Sequence, residues 1–295
     1  MFKNLNSGAL GILARQSELI ELTLTFGFRG LDVDMEELLR RAERQSVEAS
    51  VQFITSARLK IGSFDLPVDF GADEATYQSQ LAGLPQVLEL AASMDALRAI
   101  TDVQAGSDEL PYHENFERYR RRLSEVAAPL AEKGMSLGLG LLAAPAHREG
   151  KAFQFMHRVE DLLMLVKTVG EANVGLNLDL WNWRVGGGGV EQLRGLQAKQ
   201  IVNVRLADVP AGTDLATITD EQRVMPGDGE GESVALLAVL GELGYDGPVT
   251  IYPHGSCFTE GREAVVKAVS AKLSELWEAA GINKAGKLSD KTARV

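Results

Sequence analysis

Eight short β-prone runs, each followed by a longer stretch, in most cases helically patterned, constrain this chain more than any other feature. The runs cover residues 5–10, 30–34, 59–64, 97–103, 136–142, 174–179, 201–207 and 248–252. Helical patterns fill residues 18–26, 36–49, 73–94, 114–133, 158–169, 232–243 and 260–280. Strand–helix alternation implies parallel strands joined by crossover helices. Eight repeats of the pair favour closure into a barrel over an open sheet. Gly27, Gly134, Gly170 and Gly244 each stand between a helical run and the next strand, where a left-handed residue ends a helix at little cost.

The expected fold is therefore α/β, a single (β/α)8 TIM barrel. Its 295 residues, 45% of them hydrophobic, suffice for one large core. No linker splits the chain, so residues 1–283 are assigned to the barrel and residues 284–295, polar and without apolar period, to a frayed tail. The longest irregular stretch, about 208–231, follows a strand and is expected over the active face. A net charge of -11 excludes nucleic acid and anionic lipid as natural partners. No run is long and apolar enough for a membrane span, and the N-terminus lacks a signal-peptide core. The single cysteine, Cys257, excludes an internal disulfide and fits a reducing, cytoplasmic setting.

Several segments resemble the xylose-isomerase-like barrels, which include sugar isomerases, ketose epimerases and inosose-processing enzymes. They are ELIELTLTFGFRGLDVD, KIGSFDLPVDF, ENFERYRRRLSEVAAPLAEKGMSLGLG, VGLNLDLWNWRVGGG, VRLADVPAG, MPGDGEGE and LGYDGPVTIYP, in order across residues 5–280. The resemblance implies one divalent metal at the C-terminal mouth of the barrel, held by two glutamates, an aspartate and a histidine from four strand ends. Such a metal polarises a substrate carbonyl while an acid–base group moves a proton between carbons. Carried onto this sequence, those four positions hold Gly140, Asp179, Arg205 and Tyr252, so Asp179 alone is a retained ligand. Asn182 stands where the family often has a substrate-binding histidine, and Asp208 is kept after the seventh strand.

A lone carboxylate does not hold a divalent ion well, and a permanently charged guanidinium repels one. No cofactor is expected, with a divalent metal (Mn, Mg, Co or Zn) as the alternative. Arg205 is expected to pair with Asp179 or Asp208. The expected function is a divergent sugar isomerase/epimerase-family barrel that binds a small polyhydroxylated ligand, its metal-dependent site lost. The alternative is an active isomerase, epimerase or inosose-type lyase whose metal-free site uses Asp179, Arg205, Tyr252 and His254. Trp181, Asn182, Trp183, Asp208 and His147 are the candidate ligand contacts, the tryptophans because aromatic faces stack on sugar C–H surfaces. Lys60 is read as a stem-buried or exposed lysine, Cys257 as a buried or idle thiol, the glycine run at 186–189 as a flexible loop at the barrel mouth, and His113 and His157 as surface residues. The partner class is a carbohydrate-like small molecule. The resemblance also leaves a homo-oligomer open, while a protein-binding scaffold carries no specific signature.

Overall fold

Parallel pairing runs unbroken around the sheet of this computed structural model, which describes residues 1–289. The strands are β1 (Phe2–Leu5), β2 (Gly30–Leu31), β3 in two pieces (Lys60–Ile61 and Phe64–Asp65), β4 (Arg98–Val103), β5 (Ser136–Leu141), β6 (Val174–Asp179), β7 (Ile201–Leu206) and β8 (Pro248–Ile251). The two pieces of β3 are the two ends of the hydrogen-bonded order, and they follow each other in sequence, so the sheet closes on itself. β1 pairs with β8, which seals the other seam.

Helices pack around the outside. They are α1 (Gln16–Thr25), α2 (Met35–Arg44), α3 (Val47–Thr55), α4 (Glu74–Ser93), α5 (Tyr112–Glu132), α6 (Val159–Val169), α7 (Leu180–Val185), α8 (Ser233–Leu243) and α9 (Arg262–Ala279). Most apolar residues between helices and strands form one continuous core, with a small separate cluster of Ala144, Trp181, Ala207, Val209 and Ile218. All four predicted helix-ending glycines take positive φ, between 69° at Gly134 and 77° at Gly244. Among the described residues no helix is long and apolar enough to cross a membrane.

Three sequence expectations shift. The first strand is Phe2–Leu5 rather than 5–10, because β1 takes its register from β8 (Phe2↔Pro248), and Gly8–Leu10 turns into a 3-10 helix. The helix expected over 36–49 is two helices, since Ser46 restarts the chain by capping the amide of Ala49. Residues 284–289 do not fray. Ile282 bridges Leu288, and the Gly286 carbonyl accepts a 2.9 Å bond from the N-terminal ammonium. The remainder of the expected tail lies outside the described residues.

Inward-facing positions recur every second residue along each strand. They put Asn4, Asn177, Asn203 and Thr250 inside the barrel rather than the branched apolar residues that usually fill one. Buried amides need partners, and these bond to one another and to the rim. Asn203 donates to Asn177 at 2.9 Å, and Asn4 donates to Thr250 at 2.9 Å and to Asp32 at 2.8 Å. This polar floor lies one layer below the C-terminal mouth.

Candidate functional site at the barrel mouth

The next inward position on each strand forms the mouth: Asp65 on β3, Asp102 on β4, Gly140 on β5, Asp179 on β6, Arg205 on β7 and Tyr252 just past β8. Strand register fixes who faces whom, with Asp102 opposite Gly140 and Arg205 opposite Asp179. Two lobes of about 610 Å³ and about 530 Å³ open there, and both are walled by Arg205 and Tyr252.

Arg205 is the centre of the cup. It is 7% exposed, and its guanidinium carbon lies 4.1 Å from the Tyr252 ring centroid. It makes no ion pair with any described residue, and its Nε is buried without a hydrogen-bond partner. Burial opposes the charge, but Tyr252 and the carboxylates of Asp102, Asp179 and Asp32 more than offset it and push the pKa up. The expected ion pair of Arg205 with Asp179 or Asp208 is absent.

Asp179 pairs instead with Arg223, from the long loop after β7. Arg223 Nη1 donates to Asp179 Oδ2 at 2.6 Å, with both side chains under 10% exposed. Asp179 Oδ1 accepts the amide of Asn182 at 3.1 Å and so caps α7. Arg223 also reaches Asp220 at 3.2 Å, and His147 Nε2 meets the other Asp220 oxygen at 2.6 Å. One chain of contacts thus crosses the larger lobe: His147, Asp220, Arg223, Asp179. Burial alone would push the Asp220 carboxyl up, but the His147 bond and the Arg223 charge hold it below the usual range.

Asp102 and Asp65 are open to the cavity, accept no hydrogen bond from any described residue, and are ringed by protein. Burial raises both carboxyls, with Arg205 pulling each back. Asp102 has room only because position 140 is glycine. A Cβ there would stand 1.9 Å from Asp102 Oδ1.

Of the predicted contacts, Asp179, Asn182, Arg205, Tyr252, His147 and His254 line the larger lobe. His254 is held by Ser256, whose Oγ lies 2.8 Å from Nδ1. Trp181, Trp183 and Asp208 do not reach the lobe. Because α7 begins directly after Asp179, its turn swings both indoles into the wall. Trp181 is 0% exposed beneath the Arg223 guanidinium, and Trp183 donates to the Gly189 carbonyl at 3.1 Å. Asp208 accepts the Gly227 amide at 2.7 Å and fastens the loop back onto β7.

Asp65, Asp102, Asp220 and Arg223 escaped the sequence reading. Asp102 had a signal, since it is a charged residue near the C-terminal end of a predicted strand, in phase with its inward positions. Arg223 and Asp220 had none, because a long loop has no period to place its side chains. Among the described residues no three His, Cys, Asp or Glu side chains converge as a metal-binding group.

Comparison with known proteins agrees with this architecture. The family model described as xylose isomerase-like TIM barrel matches residues 20–275. A xylose isomerase domain protein from Alicyclobacillus acidocaldarius superposes with a TM-score of 0.85, at 25% identity, over 95% of this chain and 99% of that one. The IOLI protein, described with a bound zinc atom, shares the fold with a TM-score of 0.79 at 18% identity, over 94% of this chain and 98% of that one. An inosose isomerase from Halalkalibacterium halodurans is 25% identical over 187 residues, 61% of this chain and 61% of that protein. The chain therefore matches less than two thirds of that relative's length.

Proposed function

The chain belongs to the xylose isomerase-like TIM barrel family, and from that premise we propose that it binds a small polyhydroxylated ligand, sugar- or inosose-like, in the cup around Arg205 and without a divalent cation. The observation that carries this reading is the Arg205 guanidinium, buried over Tyr252 with no hydrogen-bond or ion-pair partner among the described residues. A guanidinium presents a rigid fork of N–H donors. Vicinal hydroxyls or a carbonyl beside a hydroxyl offer acceptors to that fork, while Asp65 and Asp102 accept from other hydroxyls.

The donor set does not fit the cation that the family resemblance implies. Of its four positions one is glycine, one is Asp179 already bound to Arg223, one is Arg205, and one is Tyr252 stacked upon it. A divalent ion 4 Å from Arg205 would meet a repulsion of about 8 kcal/mol at an effective dielectric of 20. The test is metal analysis of the purified protein together with calorimetric titration of inososes and ketoses. Binding without metal is expected. Stoichiometric Mn, Mg, Co or Zn overturns the reading.

A second reading, metal-free proton transfer on such a ligand, is favoured by the unbonded carboxylates beside Arg205. Arginine and tyrosine stabilise a developing oxyanion, and a free carboxylate takes the proton. Of the groups first considered, Arg205 and Tyr252 suit the electrostatic part. Asp179 is committed to Arg223 and Asn182. Exchange of ligand C–H for solvent deuterium is the expected signature.

A further inference from the structure

We propose that Asp102 is the catalytic base of this cup, a carboxylate supplied by β4 in the space that glycine leaves on β5. The proposal rests on the proton-transfer reading above. Four observations meet at this residue.

First, Asp102 and Gly140 are register partners, and the Asp102 carboxylate fills the place of a side chain at 140, its Oδ1 lying 1.9 Å from where a Cβ would stand. The carboxylate that the family resemblance expects from β5 is thus delivered from the neighbouring strand. Second, the other acids lining the larger lobe are spent. Asp179 holds Asn182 and Arg223, and Asp220 holds His147 and Arg223. Asp32, on the rim of the smaller lobe, accepts from Asn4, Asn6 and Ser63. Third, Asp102 accepts no bond from any described residue and lines the larger lobe with Arg205 and Tyr252. Asp65 is also unbonded, but it lines only the smaller lobe. Fourth, Arg205 is the strongest of the positive charges acting on Asp102, ahead of Arg223 and His147, and has no acceptor among the described residues.

The step follows from that arrangement. A polyhydroxy ketone sets its carbonyl oxygen on the Arg205 fork. Asp102 takes the proton from the adjacent carbinol carbon. The C–H electron pair becomes the new C=C bond, and the carbonyl π pair moves onto the oxygen beside Arg205. Asp102 swaps that proton for one from solvent and returns it to the same face of the carbon, which restores the ketone with its configuration retained and its hydrogen exchanged. Nothing is oxidised or reduced overall.

The experiment uses the full chain, an inosose and D-fructose as probes, calorimetry for binding, and proton NMR in D2O for deuterium incorporation. Wild type is expected to bind and exchange at least one probe. D102N also loses an acceptor for a ligand hydroxyl, so it is expected to bind more weakly and, at saturating probe, to lose exchange by about 100-fold or more, the usual worth of a positioned base. G140A keeps the carboxylate but displaces it, and is expected to lose exchange by at least about tenfold. Exchange that persists in D102N, or that is lost in D65N alone, overturns the proposal. Binding without exchange in wild type overturns it while leaving the carbohydrate reading intact. No binding of either probe overturns both.

Discussion

Arg205 and Arg223 enter one cup with one charge and differ in what they touch, so replacing each by methionine separates a structural guanidinium from a free one. Arg223 binds Asp179 at 2.6 Å and Asp220 at 3.2 Å, and the Arg223 and Asp179 side chains are 8% and 4% exposed. R223M strands the Asp179 carboxylate in the wall. Breaking a buried pair from one side costs about 3–5 kcal/mol. At roughly 2 °C of Tm per kcal/mol for a chain of this size, R223M is expected to melt about 6–10 °C below wild type. Arg205 has no ion-pair partner among the described residues to strand, and burial already works against its charge. Methionine keeps an apolar stem on Tyr252. The change loses a cation–π contact of about 1–2 kcal/mol and the distant pull of Asp102 and Asp179, and it gains relief from desolvation. R205M is expected to melt about 2–4 °C below wild type, well short of R223M, on the same scale. Differential scanning fluorimetry and urea unfolding measure both variants. Equal destabilisation by R205M and R223M would refute the reading of Arg205 as a ligand-facing group.

Two further perturbations probe the scaffold under the cup. A Cβ on Gly62 would meet Asn4 Oδ1 at 2.3 Å and Asp32 Oδ1 at 2.4 Å. G62A should therefore break the Asn4–Asp32 bond and destabilise by about 2–4 kcal/mol, overpacking plus a lost buried bond, read by urea unfolding. Asp220 titrates below its ordinary range in the folded chain, so its contribution is present above that ordinary range and is lost as pH falls through the folded value. D220N should show a smaller fall in Tm than wild type across that acid window, with a constant difference at neutral pH.

The fold was legible because its signals are local and repeated. Strand runs, helix periods and the glycines at 27, 134, 170 and 244 all agree, and consistency across levels is what specifies a barrel. Interruptions were less legible. The break in β3 at Gly62 and Ser63 depends on Asp32 reaching across from β2 to the Ser63 amide, 2.8 Å away. The site divided along the same line. Asp179, Arg205 and Tyr252 were proposed through the family resemblance, and they lie in strand motifs whose phase points them inward. Their partners did not follow, because the Arg223 that takes Asp179 sits 44 residues away in an aperiodic loop. Trp181 and Trp183 were misplaced for a related reason. The strand phase ends at Asp179, and one helical turn sends the next side chains into the wall.

The substitutions at the mouth depend on one another, and that dependence can be tested by reversal. Restoring the ligand set that the family resemblance expects needs G140E, R205H and Y252E together with Asp179. The triple variant alone is expected to fail as a metal site. A Cβ at position 140 would sit 1.9 Å from Asp102 Oδ1, so either the new glutamate or Asp102 must leave its place. Asp179 would still be held by Arg223 at 2.6 Å, its lone pairs engaged and a fixed positive charge beside the ion. Adding D102G and R223M removes both obstacles, since the introduced carboxylate gains room and Asp179 is released to coordinate. Calorimetric titration with zinc should then show at least about tenfold tighter binding than in the triple variant, about 1.4 kcal/mol. Equal affinity in the two variants would mean that Asp102 and Arg223 do not stand in the ion's way.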